Sequence, residues 1–171
     1  MMVLKRVLFL RLGIDNFKNI NENYGLKFGD EILKRTGKYI KDLLNEYQKL
    51  YHIVSDEFII FDSNGTVDDA IYLYKKIQER TLDFIESTNY EIYYTFSAGI
   101  LDFYSHPTAS YIEIMKWTEF SLNNAKESGK NTYDILITVI IKNFKENQRL
   151  LDIYTNLLIM ITKDLMCIFN L

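Results

Sequence analysis

The chain has one cysteine, one proline and seven glycines in 171 residues, and no strong charge of either sign. Cys167 alone excludes an internal disulfide and a cysteine-cluster zinc site, and it fits a reducing compartment, with the cytoplasm as the expected location. With Pro107 and so few glycines as punctuation, the secondary elements are expected to be long and their joints marked by polarity. Twenty Lys and Arg against 23 Asp and Glu give a formal charge of −3, so no general basic field exists to hold a nucleic-acid backbone. A mononucleotide ligand is not excluded by that balance. Long apolar runs are also missing. Leu150 to Leu171 is interrupted by Asp152, Lys163 and Asp164, whereas a membrane span needs roughly 20 apolar residues. Lys5 and Arg6 precede only Val7 to Leu10 before Arg11 intervenes, too short for a signal-peptide core. What is present, 48% hydrophobic and 25% charged residues, is the composition of a folded domain and not of a disordered chain.

Hydrophobic spacing sets out the elements. Val3 to Leu12 is a dense apolar run interrupted by Lys5, Arg6 and Arg11, which predicts a largely buried strand. Asp15 is the expected N-cap of a short helix carrying Phe17, Ile20 and Tyr24, which Gly25 stops. A second helix is predicted after Gly29, with an apolar stripe from Ile32 to Tyr47 opposite a Lys-rich face. Leu50 to Val54 and Phe58 to Phe61 read as a hairpin with the acidic tip Ser55-Asp56-Glu57. Asp68 and Asp69 favour the start of a third helix that carries Ile71 to Ile85. The alternation from Glu91 to Leu101 predicts a half-buried strand. Ser110 caps a fourth helix that ends near Gly129, and a strand follows around Tyr133 to Ile141. The predicted fold class is therefore α+β: a palm-like mixed β-sheet flanked by helices, over residues 1–141. Residues 142–171 are expected to form an amphipathic helical tail, the possible start of a truncated downstream region.

The acidic tip is the first place for chemistry, because hard cations want oxygen ligands and a hairpin tip projects Asp56 and Glu57 together. A bare Asp-Glu pair is also an ordinary solvated turn. Its neighbours make it more specific. Gly13-Ile14-Asp15-Asn16-Phe17-Lys18-Asn19-Ile20-Asn21, Tyr24-Gly25 and Phe28-Gly29-Asp30-Glu31-Ile32-Leu33 resemble the opening of the GGDEF family, the bacterial diguanylate cyclases. Ser55-Asp56-Glu57-Phe58 stands at the place of the name motif. Thr95 to Ile100 and Ala125-Lys126-Glu127-Ser128-Gly129-Lys130-Asn131 resemble the later strand and the last helix with its turn.

The resemblance implies a signalling domain in which two subunits, each holding one GTP, form cyclic di-GMP with loss of two pyrophosphates. It implies magnesium held by Asp56 and by the backbone carbonyl of Ile14, and a catalytic pair in which Asp56 is also the candidate base and Glu57 is structural or at the neighbouring nucleotide. Asn21 and Asp30 match the residues that bind guanine. Lys126 and Lys130 match the basic pair on the terminal phosphates, and the loop into Phe17 and Lys18 offers backbone N–H groups to phosphate. Two departures stand out. Gly13 replaces the metal-binding aspartate of the first strand, which implies a weakened magnesium site, and Val54 and Ser55 replace the two motif glycines. Asn45 and Gln48 occupy the positions of the product-inhibition Arg-x-x-Asp, so feedback binding of cyclic di-GMP is not expected there.

The expected function is a degenerate cyclase-like domain that binds a guanine nucleotide and has weak or no cyclase activity. The alternatives are an active cyclase and a non-enzymatic dimerisation module. Expected partners are GTP, a second copy of the chain and an EAL-type domain in a longer parent protein. His52 reads as a packed or edge histidine, His106 as a loop residue, and the thirteen tyrosines as dispersed packing.

Overall fold

The structure is a computed structural model that describes residues 7–87, 92–102 and 110–136. The elements run β1 (Leu8–Ile14), α1 (Phe17–Tyr24), α2 (Leu26–Leu43), β2 (Gln48–Val54), β3 (Glu57–Asp62), α3 (Val67–Glu86), β4 (Phe96–Asp102), α4 (Tyr111–Glu127) and β5 (Tyr133–Leu136). This is the predicted order. The sheet has the strand order β2-β3-β1-β4-β5, antiparallel at every junction except β4-β5, where α4 provides the crossover that a parallel pair requires. The mixed sheet expected from the sequence is therefore present, with the hairpin β2-β3 at one side. Pro107, His106, Cys167 and the expected helical tail lie outside the described residues.

Strand alternation sorts the side chains onto two faces. Leu8, Leu10, Leu12 and Ile14 of β1, with Phe58 and Ile60 of β3 and Phe96, Ala98 and Ile100 of β4, form the larger core against α1, α2 and α3. The opposite face carries Phe9, Ile59, Phe61 and Leu101 and is covered by Ile114 of α4. Two buried tyrosines tie the first layer together: Tyr74 Oη donates to the Phe96 carbonyl at 2.8 Å, and Tyr39 Oη meets Thr81 Oγ1 at 2.8 Å. α4 lies almost on the sheet backbone at Gly99, where an added Cβ would fall 2.6 Å from both Leu122 N and the Thr118 carbonyl oxygen.

Several expectations need correction. α2 starts at Leu26, directly after Gly25, so Gly29 lies within the helix. A Cβ at Gly29 would collide with the Asn21 amide, so glycine there permits α1 and α2 to pack closely. The helix ends at Leu43, and Tyr47 is exposed outside it. β4 is buried along its whole length, not on one face, because it is a central strand with helices on both sides. In α3, Leu82 is exposed, while Thr81 is buried and bonds Tyr39. α3 is capped by Thr66, which forms a capping box with Asp69, and the expected cap Ser110 forms one with Glu113.

Candidate functional site

β1 and β3 carry the site because their register places Gly13 opposite Glu57. By alternation Arg11, Gly13 and Glu57 share the face covered by α4, next to Phe9, Ile59 and Phe61. Asp56 follows at the turn and is bound to β1 through its backbone, its carbonyl accepting from Ile14 N–H at 3.2 Å. The turn departs from the β region at Ser55, whose φ of 52° is left-handed, and His52 bridges it, its Nε2 lying 2.7 Å from the Ser55 carbonyl. His52 also packs on the Phe58 ring, which matches its expectation as a packed edge residue. Serine therefore adopts the backbone conformation for which glycine is best suited, while Val54 remains extended at the end of β2.

The carboxylates are held by cations of the chain itself. Arg11 is buried, and its Nε and one terminal nitrogen both donate to Glu57 Oε2, at 2.8 and 2.7 Å. Its other terminal nitrogen donates to the Met115 carbonyl at 3.0 Å and lies 3.8 Å from Glu119. Lys126, in the last turn of α4, reaches back across β1. Its Nζ is 3.8 Å from Asp56 Oδ2 and 4.0 Å from Glu57 Oε1. This path exists because residue 13 is glycine: a Cβ there would lie 2.9 Å from Lys126 Nζ and 3.0 Å from its Cε. Arg11 faces Glu57, and Lys126 faces both Asp56 and Glu57, so the chain's own cations already offset these two carboxylates and weaken their pull on a divalent ion. Among the described residues no three of His, Cys, Asp and Glu are grouped to hold a metal. Magnesium demands a near-octahedral oxygen set, and two carboxylates already facing two cations do not fit that demand.

Asp15 is not the helix cap. Asn16 takes that position with φ 58° and makes no side-chain cap bond. Asp15 is instead buried and accepts from Thr95 Oγ1 at 2.6 Å, Ser97 Oγ at 2.7 Å and Asn131 N–H at 3.0 Å. With its oxygens engaged in this way, the carboxylate fastens the end of β1 to β4 and to the loop after α4. The same loop returns Lys130, at φ 64°, to donate to Asn16 Oδ1 at 2.6 Å. Lys126 and Lys130 thus flank the junction of β1 and α1 from above.

The remaining candidates lie on the α1-α2 pair. Phe17 is buried in the larger core, so its ring is a packing group. Lys18 is exposed and lies 3.4 Å from Glu22. Asn21 rests against Gly29, beside the exposed Asp30, with Tyr24 and Phe28 in ring contact at 5.0 Å behind them. The structure therefore brings together Gly13, Ile14, Asp56, Glu57 and Lys126 in one cluster, joins Lys130 to Asn16, and places Asn21 and Asp30 on the α1-α2 pair. Arg11 was not among the sequence candidates. Its signal was present nonetheless: a lone arginine inside a strand otherwise buried must have a partner.

Known proteins share this fold. The family model "Diguanylate cyclase, GGDEF domain" matches residues 3–132. A diguanylate cyclase of Vibrio cholerae is 30% identical over 124 residues, covering 71% of this chain and 37% of that protein. The diguanylate cyclase DgcS of Shewanella oneidensis is 28% identical over 124 residues, covering 72% and 40%. The chain thus spans well under half the length of these relatives. Among solved structures, the active GGEEF domain of a diguanylate cyclase from Vibrio cholerae superposes with a TM-score of 0.68 at 26% identity, over 78% of this chain and 85% of that one. An EAL/GGDEF domain protein from M. capsulatus gives 0.61 at 26% identity, over 77% and 85%. No described helix is long and apolar enough to cross a membrane. With sheet order, helix placement and a family match over most of its length in agreement, the chain belongs to the GGDEF domain family.

Proposed function

We propose that this chain is a GGDEF-type domain of cyclic di-GMP signalling that binds GTP or a related guanine nucleotide and has weak or no cyclase activity. The observation that carries the proposal is Lys126 lying over Gly13, where the family's resemblance calls for a metal-binding carboxylate. In this reading Lys126 and Lys130 meet the phosphates, backbone N–H groups at the start of α1 assist them, and Asn21 and Asp30 meet the base. Asp56 and the Ile14 carbonyl are what remains of a weakened magnesium site, and Glu57 is held in place by Arg11. The domain would act by binding a partner, either a second copy of the chain or an EAL-type domain of a longer protein, in the cytoplasm.

Calorimetry with GTP and magnesium, followed by an assay for cyclic di-GMP, tests the proposal. Saturable binding with at most trace product is expected. Robust turnover that disappears in Asp56→Ala would overturn the weak-activity assignment, and absence of any nucleotide affinity would overturn the binding assignment. Retention of Asp56, Lys126 and Lys130, together with 30% identity to a diguanylate cyclase, favours full activity as the second reading. The product assay separates the two.

A further inference from the structure

Between Asp56 and Glu57 there is already a positive charge. Lys126 Nζ stands 3.8 Å from one carboxylate and 4.0 Å from the other, and it reaches them by crossing the bare Cα of Gly13. A Cβ at position 13 would come within 2.9 Å of the ammonium and 3.0 Å of Cε, so a side chain there would have to push the end of Lys126 aside. The glycine and the lysine position are therefore one device. Arg11 completes it from the other side, with two nitrogens on Glu57 and a third on the Met115 carbonyl, which fixes α4 at the height where Lys126 can descend. The lysine is only partly exposed, at 28%, and Asp56 and Glu57 at 20% and 18%, so these charges interact with less solvent screening than a surface pair.

We infer that the Lys126 ammonium, seated over Gly13 and beside Asp56 and Glu57, takes the place of a divalent cation, so that this site takes a nucleotide phosphate without a metal. This deepens the proposed function and rests on it only for the nucleotide. A lysine cannot bridge two phosphate oxygens with the geometry of magnesium, but as a point charge with three donors it neutralises one while remaining beside the carboxylates. Lys130, which shares the same rim through Asn16, supplies the second cation.

Two measurements on the full chain decide the matter. In the first, manganese is titrated without nucleotide and the free ion is followed by electron paramagnetic resonance. The wild-type chain is expected to take up none at concentrations up to about 1 mM, and the Gly13→Asp/Lys126→Met variant to gain a site at least about tenfold tighter than that. Stoichiometric manganese uptake by the wild type in that range would overturn the inference, as would a folded double variant that gains nothing, with far-ultraviolet circular dichroism to show folding. In the second, GTP affinity is compared in magnesium and in a chelator. Affinities within about twofold support the inference, and a loss of about tenfold or more on chelation overturns it. Should GTP bind in neither buffer, nucleotide binding fails, while the manganese titration still decides the replacement of the metal by Lys126.

Discussion

Arg11 and Glu57 show how a single buried charge organises its surroundings. Removing one member of such a pair leaves the other without compensation in a poorly solvated place, at a cost of about 3 kcal/mol. Glu57→Ala is therefore expected to lower unfolding stability by roughly that amount in urea titrations, and Arg11→Met in the same chain to restore most of it. Additive losses would show that the pair is not coupled. At Ser55 the left-handed φ of 52° is maintained against the steric preference of an L-residue, and the side chain is exposed. Ser55→Gly is expected to stabilise the hairpin by about 0.5 to 1 kcal/mol, read as a higher urea midpoint. The sequence alone could name Asp56, Glu57 and Lys126 because motif position carries them. It misassigned Asp15, because an aspartate before a helix has the look of a cap, and only the approach of Thr95, Ser97 and Asn131 from distant segments gives that carboxylate its partners.

At the scale of elements, what periodicity encodes was legible and what depth encodes was not. All four described helices and five strands follow from spacing, and Ser110 marks one helix start to the residue, whereas the start read at Asp68 and Asp69 has its cap two residues earlier, at Thr66. The burial of β4 on both faces could not be read from its alternation, since Ser97 and Gly99 are polar or small enough to pass for a solvent face. In the structure that smallness admits α4. Gly99 lies directly beneath Thr118 and Leu122, so Gly99→Ala forces the helix outward. A loss of about 1 to 3 kcal/mol is expected in chemical denaturation. Because Lys126 is carried by the same helix, the variant is also expected to weaken GTP binding, measured by calorimetry.

For the whole molecule, the buried tyrosines couple folding to alkaline pH. Burial holds the Tyr74 hydroxyl above its ordinary value, up to about 12, with the negative charge of Asp15 adding to the effect. Burial raises Tyr39 and Tyr94 as well. Their phenols ionise in the unfolded chain from the ordinary value of 10.0 upward, while the folded chain retains the protons. The unfolded state then binds fewer protons, so stability is complete below about pH 10 and falls as pH rises toward and through the folded values. Urea midpoints measured at about pH 8 and about pH 11 should drop at the higher pH, with phenolate absorbance appearing together with unfolding. An unchanged midpoint would show that the three hydroxyls titrate alike in the folded and unfolded chain.

The order of elements, the mixed sheet and the family were determined by the sequence, because hydrophobic period, caps and motif spacing are local properties that survive without coordinates. The state of the site was decided by tertiary structure. A glycine at position 13 reads in the chain as a missing carboxylate; only the packing of α4 onto β1 and β4, through Gly99, puts a lysine from more than a hundred residues away into the space that the glycine leaves open. Charge balance at close range depends on distance, and distance between far segments is set by the fold.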